Sequence, residues 1–150
     1  MRNHDYFMSL AIEEAKVASK NNEVPVGAII VANNNVVSSG HNLSIENSDP
    51  TSHAEINALR HASKIINNYR MPDYSIYVTL EPCMMCYGAL VHARVSEIFF
   101  GAYDKKTGCC GSCLNPLNFK FLNHQPKITG GIMEKECADI LKNFFRARRD

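Results

Sequence analysis

The 150-residue sequence lacks a strong net charge, a long apolar run and any repeated or low-complexity stretch. A formal net charge of +1 gives no global sign of nucleic-acid binding, so any basic surface must be local. The apolar run at 28–32 is far too short to span a membrane, and no membrane association is expected. With 45% apolar and 21% charged residues, the composition is typical of a globular protein, and the length predicts one domain over residues 1–150.

The sequence also has no apolar signal segment at its beginning, where a charged helical pattern starts instead. Six cysteines are nevertheless present. A reducing, cytoplasmic setting with metal-bound thiolates accounts for them more simply than disulfide bonds do.

Two short segments combine residue types that bind metals, and each lies where a helix should begin: T-S-H-A-E at 51–55 and E-P-C-M-M-C at 81–86. We expect Thr51 or Ser52 to cap the first helix and Pro82 to occupy the first helical position of the second. Cys83 and Cys86 are three residues apart, so both sulfurs should lie on one face, where the helix dipole favours thiolates.

His53, Cys83 and Cys86 together form a three-ligand zinc set of the kind that leaves a fourth position open in catalytic sites. Two thiolates cancel the charge of Zn²⁺ and make it a weaker Lewis acid. A water molecule in the open fourth position would therefore need help to lose a proton. Glu55 is in the same helical turn as His53, and we assign it the general acid/base role.

Other interpretations of these segments are open. Ser52 and Glu55 fit a capping box, and an isolated C-x-x-C fits a redox pair or half of a structural zinc site. Cys110 and Cys113 would complete C-x2-C-x23-C-x2-C, a four-cysteine zinc module that could bind RNA without catalysis. The combination of H-A-E with P-C-x-x-C, 29 positions apart, is more specific and indicates a zinc-dependent nucleobase deaminase.

The predicted strands and helices alternate along the chain, which indicates an α/β layer in which helices connect parallel strands. Both metal segments should then lie at one edge of the sheet. Helices are expected at 5–21, from about 53 to 67, from 82 to 94 and at 133–149, and strands at 27–31, 36–39, 74–80, 97–102 and 127–129.

Several features outside the two segments are also candidates for a functional role, although most of them have a structural interpretation as well. Gly27 admits a ligand close to the backbone or relieves packing. Asn42 suits a purine edge or a turn. The long connection at 103–121 has the length of a functional loop. On the last helix, the terminal arginines are either solvated charge or a phosphate site, with Phe144 or Phe145 as a stacking face for a base.

The sequence resembles the bacterial tRNA-specific adenosine deaminases of the cytidine/deoxycytidylate deaminase superfamily along nearly its whole length. The matching stretches are E-V-P-V-G-A at 23–28, D-P-T-S-H-A-E-I at 49–56, T-L-E-P-C-M-M-C at 79–86, F-G-A-Y-D-K-K-T-G at 100–108 and F-F-R-A-R-R at 144–149. Cys109 and Cys110 depart from the small residues typical of that loop.

This resemblance implies a three-layer α/β/α cytidine-deaminase-like fold with a central mixed sheet of about five strands, a homodimer, and one Zn²⁺ per subunit. It implies deamination of adenosine to inosine at the wobble position of an arginine tRNA, with the anticodon stem-loop as partner. A guanine or free-nucleoside deaminase is the alternative within the superfamily. The implied ligands are His53, Cys83 and Cys86, the implied proton carrier is Glu55, and the implied substrate contacts are Asn42, Ala54, Asp104, Lys106, Phe145 and Arg149.

Overall fold

The computed structural model describes residues 3–149, which form one five-stranded sheet with helices on both faces. The elements are α1 (His4–Lys20), β1 (Gly27–Ala32), β2 (Asn35–His41), α2 (Ala54–Ile66), β3 (Ser75–Leu80), α3 (Met84–Ala93), β4 (Glu97–Ala102), a 3-10 turn (Pro116–Asn118), β5 (Lys127–Thr129) and α4 (Glu134–Arg149).

The strand order in the sheet is β2-β1-β3-β4-β5. Strand β1 pairs antiparallel with both β2 and β3, whereas β3, β4 and β5 are mutually parallel. The predicted mixed sheet is therefore confirmed, and β1 and β2 form a hairpin at one edge of it. The crossover through α3 joins neighbouring parallel strands, but the one through α2 passes over β1, which separates β2 from β3.

Alternating side chains on the strands build two separate apolar layers, as the period of a buried strand requires. Ala28 and Ile30 of β1 pack with α2 and α3. Ile29 and Val31 face the opposite way and pack with the layer formed by α1 and α4. The result is the expected three-layer α/β/α arrangement.

Two glycines set how closely helices approach the sheet. A Cβ on Gly27 would collide with the backbone of Ala11 and Ala15 in α1, so packing accounts for this glycine. A Cβ on Gly40 would lie 2.6 Å from both the Ala54 carbonyl oxygen and the Ala58 nitrogen. Gly40 therefore lets α2 rest directly on β2.

The helix starts differ from the predicted ones. His53 is the N-cap of α2 and makes no side-chain capping bond, while Ser52 donates its hydroxyl to Asn57. The predicted capping roles of Thr51 and Ser52, and the capping box, are therefore wrong. Asn42 instead accepts the Ala54 N–H through Oδ1 at 2.8 Å.

The second metal segment shows the same shift. Cys83 is the N-cap of α3, so Pro82 precedes the cap rather than occupying the first helical position. In both helices the N-cap is a residue of a type that can bind a metal, His53 in α2 and Cys83 in α3. The extended backbone of an N-cap lets its side chain point beyond the helix end.

The two aromatic residues of α4, Phe144 and Phe145, differ in their exposure to solvent. Phe144 is buried, with the Arg148 guanidinium 4.0 Å from its ring centroid, whereas Phe145 is 46% exposed and is not a core residue.

None of the described helices combines the length and apolarity that crossing a membrane requires.

We expect Gly27→Ala to lower the free energy of unfolding by about 2 kcal/mol, because the added methyl group meets the backbone of α1. Gly88→Ala is the matched control. A Cβ there has no neighbour within 4 Å, and alanine favours the helix, so a gain of about 0.5 kcal/mol is expected. Urea unfolding of both variants at one protein concentration measures the two effects, and equal changes would contradict the packing role.

Candidate active site

Three side chains from the two predicted segments converge at one edge of the sheet. The ligand atoms of His53, Cys83 and Cys86 all lie within 4.8 Å of one another. The Nδ1 atom of His53 is 3.7 Å from the Cys83 sulfur and 3.5 Å from the Cys86 sulfur. Ligands at ordinary Zn–S and Zn–N bond lengths on a tetrahedron would be about 3.6 Å apart, so this donor set fits a zinc ion.

Contacts among His53, Cys83 and Cys86 shift the pKa values of all three groups. Hydrogen bonding from Cys86, and then from His53, lowers the pKa of Cys83 to about 4. The hydrogen bond to Cys83 raises the pKa of His53. The hydrogen bond between Cys86 and Cys83, together with burial, raises the pKa of Cys86. A bound divalent cation would displace the proton that these groups share, because thiolates are the ligands.

Glu55 lies in the first turn of α2 and is only 4% exposed. Burial raises the pKa of its carboxyl to about 7. A carboxyl with such a pKa can both accept and donate a proton near neutrality, which is what a general acid/base requires.

His53, Glu55 and Cys83 line a cleft of about 270 Å³. That is close to the lower end of small-molecule sites, about 300 Å³, and suits one base or nucleoside better than a larger ligand. Asn42 lines the cleft, and since its Oδ1 accepts the Ala54 N–H, its Nδ2 is the group that can donate to a substrate. The side chains lining the cleft are Val24, Val26, Asn42, Ser44, His53, Glu55, Leu80, Glu81, Cys83, Asp104 and Thr107.

A second, wider groove of about 570 Å³ adjoins this cleft and shares part of its wall. Lys105, Lys106 and Tyr103 line it from the connection after β4, and Leu141 and Phe145 line it from α4. Arg149 is exposed one helical turn beyond Phe145, on the same side of α4. The groove therefore combines cations with an exposed aromatic ring beside the cleft.

The carboxylate of Asp104 has local partners. It accepts the backbone N–H groups of Lys106 and Thr107 at 3.0 and 3.1 Å, and the Thr107 hydroxyl at 2.8 Å. Asp104 thus closes the turn that presents Lys105 and Lys106, and its side chain also reaches the cleft.

The remaining loop cysteines do not join the metal group. Among residues 3–149, the group of His, Cys, Asp and Glu side chains close enough to hold a metal is His53 with Cys83 and Cys86. Cys109 and Cys110 are buried in the apolar core, and Cys113 is exposed with its sulfur 3.1 Å from the Lys105 carbonyl oxygen. The four-cysteine zinc module is therefore wrong.

Sequence reasoning missed two buried acids beside the cleft, Glu23 and Glu81, each 2% exposed. Glu23 accepts the N–H groups of Ile45 and Glu46, at 3.1 and 2.9 Å. A signal was present for both, since each acid directly adjoins a predicted apolar strand or its lead-in, where a carboxylate needs donors.

Comparison with known proteins agrees with this geometry. The sequence profile of MafB19-like deaminases matches residues 2–149, so fold and site define a deaminase of this class.

Named relatives narrow the class. The chain is 46% identical to the tRNA-specific adenosine deaminase of Buchnera aphidicola subsp. Baizongia pistaciae over 96% of this chain and 89% of that protein. It is 46% identical to the enzyme of the same name from Haemophilus influenzae, over 95% of this chain and 83% of that protein. A solved tRNA:A34 deaminase structure superposes with a TM-score of 0.88 at 38% identity, covering 91% of this chain and 99% of that one. The chain belongs to the tRNA-specific adenosine deaminase family.

We expect purified protein to contain one zinc ion per chain and His53→Ala to lose it, because His53 contacts both sulfurs. Cys113→Ser is the matched control and should keep its zinc, since that exposed thiol lies outside the group. Elemental analysis after dialysis measures the metal content. Loss of zinc in Cys113→Ser but not in His53→Ala would reverse the assignment.

Proposed function

We propose that this protein deaminates adenosine to inosine at the wobble position of an arginine tRNA and releases ammonia. We further propose that it uses one zinc ion per subunit and acts as a cytoplasmic homodimer. One observation carries the proposal: His53 and Cys83, which group with Cys86, line a small cleft together with the buried Glu55, next to a basic and aromatic groove.

His53, Cys83 and Cys86 would hold the zinc, which supplies the Lewis acidity that makes a water molecule a better nucleophile. Glu55 would take a proton from that water as the oxygen adds to C6 of adenine. It would deliver that proton to the ring nitrogen, and it would then take the remaining proton from the added oxygen and pass it to the departing amino group. Water and adenosine thereby give inosine and ammonia, with Glu55 returned to its starting state.

The cleft admits a base only when that base is splayed out of its strand, which costs least in a single-stranded loop. The side chains of the adjoining groove also favour an RNA substrate. Lys105 and Lys106 suit phosphates, and the exposed Phe145 ring suits stacking of a flanking base. Asn42 and Ala54 would border the target nucleoside, and Arg149 would extend the positive surface along α4.

A groove between α2 and α3 supports the homodimer. It is lined mainly by apolar parts of Ile56, Leu59, Tyr69, Ala89 and Ala93. Covering such a surface with a second copy is favourable because it removes apolar area from water. Sedimentation of the purified protein tests this part of the proposal, and a concentration-independent monomer would contradict it.

The substrate is tested by incubating zinc-loaded protein separately with guanine, adenosine, cytidine and an arginine-tRNA anticodon stem-loop, and by measuring ammonia. Release from the stem-loop alone supports the proposal. Release from guanine or a free nucleoside, with an inert stem-loop, would identify a free-base or free-nucleoside deaminase instead.

We expect Glu55→Ala to retain zinc and fold while turnover of the stem-loop falls by at least about a hundredfold, because the proton carrier is lost. Single-turnover inosine formation and elemental analysis measure both quantities in one preparation. Loss of metal together with loss of fold would instead assign Glu55 a structural role.

We expect Lys106→Ala to weaken stem-loop binding and to reduce the slope of log K against log salt by about 1, because one phosphate contact is removed. Lys127→Ala is the matched control, since this exposed lysine begins β5 at the opposite end of the parallel strands from the cleft. Titrations at several salt concentrations measure the slopes, and an unchanged slope for Lys106→Ala would count against the contact.

A further inference from the structure

We propose that Glu81 is a positioning residue, which anchors the 103–113 loop so that its lysines face the RNA next to the catalytic cleft. The inference rests on the proposed function for its RNA component. Glu81 lies between the end of β3 and Pro82, and it is the first residue of the segment 81–86 that carries Cys83 and Cys86.

The carboxylate of Glu81 accepts four hydrogen bonds, all from the 103–113 loop. Oε1 accepts the Asp104 N–H at 3.0 Å and the Ser112 hydroxyl. Oε2 accepts the N–H groups of Cys110 and Ser112, at 2.9 and 3.0 Å. One buried side chain therefore joins both ends of the loop, with Lys105 and Lys106 held between them.

The loop is shaped to receive this carboxylate. A Cβ on Gly108 would lie 2.6 Å from Glu81 Oε1 and 2.5 Å from the Asp104 carbonyl oxygen, so only glycine allows the approach. The backbone adds further bonds, from Glu81 N–H to the Ala102 carbonyl and from Cys109 N–H to the Pro82 carbonyl. The segment that carries Cys83 is thus fastened to the loop that carries the groove lysines.

The opposite wall of the cleft has an anchor of the same kind, which provides a matched control. Glu23 is equally buried and accepts the Ile45 and Glu46 N–H groups, beside the cleft residue Ser44. Glu23 makes none of its bonds to the 103–113 loop among the bonds described for residues 3–149.

Glu81→Gln keeps the size of the side chain but replaces one acceptor oxygen with a donor NH₂, so at least one backbone N–H loses its partner. In zinc-loaded protein, hydrogen exchange should accelerate by about tenfold at Asp104, Cys110 and Ser112 and stay unchanged at Ile45 and Glu46. Glu23→Gln should give the reverse pattern. Unchanged exchange in the 103–113 loop of Glu81→Gln would overturn the anchor, whatever the substrate proves to be.

A double-mutant cycle tests the link to RNA. If Glu81 acts by placing Lys106, the effects of Glu81→Gln and Lys106→Ala on the Kd for the anticodon stem-loop should be clearly less than additive. Glu23→Gln combined with Lys106→Ala should be additive. Additivity in the Glu81 cycle would overturn the positioning role.

Two further outcomes remain distinguishable. If Glu81→Gln does not fold, Ser112→Ala removes a single hydroxyl donor and should loosen the loop more mildly, with the same exchange signature. If wild-type protein binds no stem-loop, the proposed function fails, while the exchange experiment still decides whether Glu81 anchors the loop.

Discussion

Two helices begin at the same edge of the sheet, and each begins at a residue that can bind a metal. His53 is the N-cap of α2 and Cys83 is the N-cap of α3, and their ligand atoms are 3.7 Å apart. The closeness depends on the backbone contact between Gly40 and α2. The helix starts bring the two sulfurs and the imidazole together, and the contacts among them lower the pKa of Cys83 and raise that of Cys86.

Buried carboxylates around this edge have different partners and therefore different roles. Glu55 is desolvated, and its pKa rises to about 7, which suits proton transfer. Glu81 and Glu23 are as deeply buried but accept several N–H groups from the loops that form the cleft walls. Burial alone does not decide the function of an acid; the number of donors that meet it does.

The grouping of His53, Cys83 and Cys86 near Glu55 could be predicted from the sequence, because H-A-E and P-C-x-x-C are short patterns whose chemistry depends on residue type and spacing. The helices and strands were also predictable from their periodicity. The caps were not, since Asn42, twelve residues before Ala54, supplies the acceptor for the first N–H of α2. Which of Phe144 and Phe145 is exposed was not predictable, because helical spacing does not show which face meets the sheet.

The sequence by itself determined which side chains are candidates for metal binding, which acid is the candidate proton carrier, and the α/β pattern, since local spacing and side-chain chemistry are enough for these. Only the tertiary structure decided that Cys109 and Cys110 are buried in the core and that Cys113 is exposed. It alone placed the groove of Lys106 and Phe145 beside the cleft. The reason is that β1 lies between β2 and β3, so distances across the edge depend on strand order and packing, which no local pattern contains.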